Sequence, residues 1–180
     1  MYRLFVGIQP PPETFQQLLP VMHGVPGARW QQESQLHITL RFIGEVDGAV
    51  ANDIASALEQ LSFHPFAIAL RGVGMFDARG HPDALWASVE PREPLAHLHR
   101  KIDRMCVRCG LAPDHRAYLP HMTLARMNRS AGPVEPFLGA HADLALPPFT
   151  VSTVTLYESH LSHSGAIYRQ VAQYPAQGDG

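Results

Sequence analysis

A chain of 180 residues with 46% hydrophobic and 17% charged content has interior enough for one ordinary domain and is too apolar to be disordered. Arginines, prolines and histidines interrupt every apolar stretch, which excludes a helical membrane span, and Met1–Ile8 lacks the features of a signal peptide, so a cytoplasmic location is expected. The net charge of −2 excludes an overall basic coat for nucleic acid, although all but one of the 14 cations are arginine, the better fork for a phosphate.

In chain order, residues 2–8 read as a buried strand. Pro10-Pro11-Pro12-Glu13 opens a helix carrying Phe15, Leu18, Leu19 and Met22, which Pro20 bends or ends. A strand over 36–43 stops at Gly44, and Asp47 caps a helix with the face Val50, Ile54, Leu58 and Leu61. Phe66–Leu70, Val73–Phe76 and Leu85–Val89 read as strands. A helix over about 94–109 ends at Gly110 as its C-cap, and a strand follows at 120–126. Residues 128–148 read mostly as loop, with a turn of helix near 134–138. Strands at 149–158 and 166–172 close the chain, and Tyr174–Gly180 reads as a polar tail.

Cys106-Val107-Arg108-Cys109 closes the helix with Leu95, Leu98, Ile102 and Met105. A redox pair belongs at a helix start, where the macrodipole stabilises a thiolate; at a helix end these read as two ordinary, partly buried thiols.

One short pattern occurs twice, as His37-Ile38-Thr39-Leu40 and His121-Met122-Thr123-Leu124. Side chains at i and i+2 of a strand share a face, so each copy presents a histidine and a threonine together while Ile38, Leu40 and Phe42, like Met122 and Leu124, face a core. The alternative is a pair of core histidines, each held by a neighbouring hydroxyl. Because each half offers a helix followed by a motif strand, the expected architecture is α+β. Two antiparallel sheets backed by helices form one bilobal, pseudo-twofold domain over 1–180, ordered over about 2–174, with the active-site cleft between the lobes.

Two facing histidines suit one displacement: a neutral imidazole deprotonates water while an imidazolium protonates the leaving oxygen. Threonines beside them suit the non-bridging oxygens of a phosphate. No acidic metal cage or Gly-rich phosphate loop accompanies the motifs, so in-line attack on a phosphodiester without metal or cofactor is expected, with a bell-shaped pH profile centred near neutrality.

The chain resembles the two-histidine phosphoesterase superfamily, and within it the RNA 2',3'-cyclic phosphodiesterases, also called 2'-5' RNA ligases. The resemblance is carried by Arg3–Ile8, Leu36–Glu45, Leu85-Trp86, Pro120–Arg126 and the closing segments Leu156–Leu161 and Gly165–Tyr168. It implies that His37 and His121 are the acid–base pair, Thr39 and Thr123 the phosphate-oxygen donors, and Arg126 the phosphate-charge partner. It also implies a substrate, an RNA terminus or nucleotide with a 2',3'-cyclic phosphate, hydrolysed to a 2'-phosphomonoester, with reversible 2'-5' ligation as a side activity; a monomer is expected. A nucleotide- or RNA-binding module using the same pocket without turnover is the alternative. Arg126 lies at odd spacing from His121: either the strand bends or ends near Ala125, or the long side chain curls back, or the residue makes a surface ion pair. Phe42 is a base-stacking platform or a core residue. Arg41 and Arg116 hold flanking phosphates at the rim or are solvated, and the remaining histidines read as surface or loop residues.

Overall fold

The computed structural model describes residues 1–178. Strand β1 (Tyr2–Ile8) is buried from Leu4 onward, and α1 (Pro12–Leu18) begins on proline and stops ahead of Pro20. A two-residue strand β2 (Arg29–Trp30) and a 3-10 turn (Glu33–Gln35) lead into β3 (Ile38–Val46), which runs past Gly44. Asp47 caps α2 (Gly48–Leu58) by accepting from the Val50 N–H at 2.9 Å. Then follow β4 (Phe66–Ala78), β5 (His81–Glu90), α3 (Glu93–Arg108) and β6 (His121–Arg126). The expected strands 66–70 and 73–76 are one strand, bulged where Gly72 adopts φ +72. Helix α4 (Glu135–Ala140) precedes β7 (Phe149–Val151), β8 (Thr153–Ser162) and β9 (Gly165–Pro175). The expected strand 149–158 is divided between β7 and β8. The expected tail begins too early: Tyr174 is buried at the end of β9 and its hydroxyl donates to the Ala55 carbonyl at 2.9 Å. Residues 179–180 lie outside the described residues.

Pairing is antiparallel throughout, in the order β7-β4-β5-β6-β3-β1-β8-β9, with β2 on β6. The α+β architecture and its two antiparallel halves are as expected, but the halves are continuous rather than two separate sheets. One half is β3-β1-β8-β9 and the other β7-β4-β5-β6, and they meet through a single residue pair, Ile38 opposite Met122. Helix α2 packs on β1, while α3, which by chain order lies between β5 and β6, packs on α2 and behind β3 of the other half. Leu95, Leu98, Ile102 and Cys106 are the buried stripe of α3, and they complete a core that includes Ile38, Leu40, Met122 and Leu124. Cys106 is buried in that stripe with its thiol pushed up to about 11, so it is no thiolate.

Candidate active site

The residue pair joining the halves is the middle of each motif. Ile38 and Met122 are both fully buried, so the side chains that alternate with them are turned to the other face. His37 and Thr39 from one strand and His121 and Thr123 from the other line one cleft of about 400 Å³. Arg3, Arg116 and Arg126 share it, and none of the residues lining it is acidic.

Both imidazoles are held in the same way. His37 Nδ1 lies 2.8 Å from the Gln35 carbonyl and His121 Nδ1 2.7 Å from the Leu119 carbonyl, two residues upstream in each case. A carbonyl only accepts, so each Nδ1 carries a proton and each neutral ring keeps its lone pair on Nε2. The Thr39 hydroxyl, 3.1 Å from His37 Nε2, therefore donates to it. The surroundings are aromatic. Phe5 and Tyr168 stand 4.8 and 5.0 Å from the His37 ring centre, with Tyr157 at 6.1 Å. Phe76 meets His121 edge-on at 4.8 Å, with Trp86 at 5.9 Å. Burial disfavours imidazolium in both, pushing His37 from 6.5 down to about 4 and lowering His121 less. Arg126 lowers both further, which places its guanidinium within electrostatic reach of the pair.

A bulge at the same place in each motif sets the direction of the residues after the threonine. Gly7 is opposite Thr39 and Val6 opposite Arg41, so Leu40 is the extra residue; Trp86 is opposite Thr123 and Leu85 opposite Ala125, so Leu124 is extra. An extra residue reverses the alternation beyond it. Arg41 and Ala125 are thereby turned inward, and Phe42 and Arg126 come out into the cleft at matching positions. The bend near Ala125 is thus the alternative the structure adopts for Arg126.

Arg41 requires correction. It is neither a rim residue nor solvated: it is 7% exposed, its Nε is 2.8 Å from Asp103 Oδ1, and it also donates to the Ala112 and Phe42 carbonyls. Phe42 is not a core residue; it is 50% exposed and lines the cleft. Arg116 does lie at the cleft, 74% exposed with Asp114 at 3.2 Å. His99 was expected on the surface, yet it is buried on α3, stacked on Tyr118 at 4.5 Å, with Nδ1 2.6 Å from the Leu40 carbonyl. The Tyr118 hydroxyl donates to the Thr39 carbonyl at 2.9 Å. The bulged backbone of Thr39 and Leu40 is therefore held by side chains from α3 and the loop after it.

Sequence reasoning gave no site role to Phe5, Phe76, Trp86 or Tyr168. Leu85-Trp86 and Gly165–Tyr168 carried the resemblance, but only the register of β5 on β6 and of β8 on β9 brings them to the histidines. Trp86 lies over Gly74, where a Cβ would come within 2.3 Å of its indole, and its Nε1 is buried without a hydrogen-bond partner. The place of the Trp86 indole is thus kept by a glycine two strands from the motif.

A family model described as the 2'-5' RNA ligase superfamily matches residues 11–162. The chain belongs to that superfamily. Among its relatives, an RNA 2',3'-cyclic phosphodiesterase of Aeropyrum pernix is 32% identical over 160 residues, covering 87% of this chain and 90% of the relative. One of Archaeoglobus fulgidus is 27% identical over 172 residues, covering 94% and 97%. The fold is that of Escherichia coli LigT in its apo form (TM-score 0.79, 22% identity, 98% of each chain) and of a Thermus thermophilus protein (TM-score 0.80, 24% identity, 99% of this chain and 100% of that one). LigT has also been crystallised with 3'-AMP, at TM-score 0.78 to this chain.

Proposed function

We propose that the protein hydrolyses the 2',3'-cyclic phosphate of an RNA end or nucleotide to a 2'-phosphomonoester, with His37 and His121 as the acid–base pair. The carrying observation is that two imidazoles, each fixed through Nδ1, present Nε2 to one cleft beside two threonines and Arg126. In-line displacement at phosphorus needs a proton taken from the entering oxygen and one given to the departing oxygen. One imidazole accepts the proton of water as its oxygen bonds to phosphorus. The P–O3' bond breaks, and the other imidazolium protonates O3'. Thr39, Thr123 and Arg126 stabilise the charge gathering on the non-bridging oxygens.

The names of the relatives, RNA 2',3'-cyclic phosphodiesterases at 32% and 27% identity, support the same substrate. With a 5'-hydroxyl in place of water the same groups would form a 2'-5' bond, and the family's description supports that as a second activity. The reading includes a monomer working in the cytoplasm; no helix among the described residues is long and apolar enough to cross a membrane. The test is turnover of a 2',3'-cyclic mononucleotide with and without EDTA. Conversion to the 2'-phosphate in both arms supports the proposal. Binding without turnover would leave a nucleotide-binding module, and turnover abolished by EDTA and restored by metal would replace the mechanism with a metal hydrolase.

A further inference from the structure

A second cavity of about 500 Å³ adjoins the cleft and shares Thr39, Phe42, Arg116, His121 and Arg126 with it. Its remaining wall combines Leu40, Phe76, Ala117, Tyr118 and Leu119 with the polar groups of Arg41, His99 and Asp114, the first two already engaged with Asp103 and the Leu40 carbonyl. The two spaces divide the catalytic groups unequally. His37 and Thr123 line the first alone, whereas His121 lines both. We propose that the second cavity is a nucleoside subsite for the alcohol that enters or leaves on the His121 side of the phosphate. This rests on the reading of the cleft given above.

In a 2',3'-cyclic phosphate the ribose is fused to the phosphate, so donor sugar and phosphorus must occupy the cleft that holds both histidines. In-line geometry puts the entering oxygen opposite departing O3'. A group carried by that entering oxygen needs space beside one histidine, and the second cavity is lined by His121 and not by His37. The volume falls in the range of small-ligand pockets, and an aromatic and aliphatic wall suits a base and ribose better than water alone. Phe42, standing in both cavities, is the partition between donor and acceptor. In the forward step the acceptor's 5'-oxygen bonds to phosphorus and gives its proton to His121 Nε2. The P–O3' bond breaks and O3' takes a proton from His37, so a 2'-5' diester results with nothing oxidised or reduced. In reverse, a 2'-5' dinucleoside monophosphate spans both cavities and yields the cyclic phosphate.

The experiment offers full-length protein 2',3'-cyclic AMP in the presence of adenosine or, at equal concentration, glycerol. Hydrolysis and alcohol transfer are both quantified. Adenosine should be captured saturably and at least about tenfold more often than glycerol. Ala117 is exposed and lines only the second cavity, so Ala117→Trp should lower adenosine transfer by at least about tenfold while hydrolysis stays within about twofold. Hydrolysis with no transfer, with equal capture of both alcohols, or with adenosine transfer unaffected by the substitution overturns the inference alone. Parallel loss of hydrolysis and transfer in Ala117→Trp overturns it too, because the two cavities would then be one site. Failure of the wild-type protein to hydrolyse the cyclic nucleotide overturns the reading of the cleft and this inference with it.

Discussion

His37 and His121 are pinned alike but not equally dry, and the difference has measurable effects. Alanine at either position should lower turnover by at least about 100-fold, the scale of general acid–base help, with folding retained. A near wild-type rate in either variant would refute the pair. In the proposed mechanism turnover needs one ring neutral and one protonated. Because burial pushes His37 to about 4 and His121 below its usual 6.5, the singly protonated pair of the free protein is most populated on the acid side of neutrality. The kcat/KM profile should therefore peak below pH 6.5, lower than the motifs alone suggest, with its two apparent values belonging to the pair. A bound phosphate opposes the Arg126 charge that depresses both rings, so the kcat profile should lie at higher pH. The same shift acts on stability. A folded-state value below the unfolded one means the unfolded chain binds the proton first, so stability is full above pH 6.5 and falls as pH drops toward about 4. The loss is about 3 kcal/mol from His37, and urea titrations at a series of pH values would show His37→Ala lacking most of it. Thr123→Val should raise the barrier by about 2 to 4 kcal/mol at most without moving the melting temperature. Thr39→Val also removes the hydroxyl that His37 Nε2 accepts from, so its pH profile alone should shift upward. If both threonine variants instead lose stability and keep activity in proportion to folded protein, the histidines are core residues after all.

At the scale of elements, the motif strands were legible in the sequence because period-two alternation is set by the residues themselves, and both His-x-Thr faces lie where parity puts them. The bulges were not legible. Leu40 and Leu124 are ordinary strand formers, and an extra residue shows only against the partner strand, which is distant in sequence for β5 and β6 and for β1 and β3. That one omission accounts for both Arg41 and Phe42, which exchange the roles alternation gives them. Gly72 misled in the opposite sense: a glycine reads as a break, and here it is a bulge inside one strand. His99 escaped notice because its partner, the Leu40 carbonyl, is freed by the same bulge. The exchange predicts opposite outcomes for adjacent residues. Arg41→Ala leaves Asp103 largely buried without its cation and should cost about 3 kcal/mol in a thermal melt. Phe42→Ala should leave the melt within about 0.5 kcal/mol and raise KM instead. A stable Arg41→Ala with weakened substrate binding would restore the rim role.

The whole molecule carries a small negative charge, yet three arginines and two histidines converge on a cleft lined by no acidic side chain. Attraction for a polyanion is therefore local. KM for an oligonucleotide ending in a cyclic phosphate should climb with salt more steeply than KM for a cyclic mononucleotide, because each further phosphate contact releases counterions. Equal slopes would confine recognition to the terminal nucleotide. The meeting of the halves at Ile38 and Met122 has a different consequence. Ile38 opposite Met122, with the short β2 and Gln31 on β6, is little main-chain hydrogen bonding to weld two halves of one sheet, and α3, encoded within one half, packs behind the other. Neither half owns a complete interior. The molecule should melt as one cooperative unit, with calorimetric and van't Hoff enthalpies equal, and a fragment carrying β4 to β7 alone should stay unfolded. Assembly of the proposed acid–base pair is then inseparable from completion of folding: a partly folded chain holds both histidines without bringing them to one cleft.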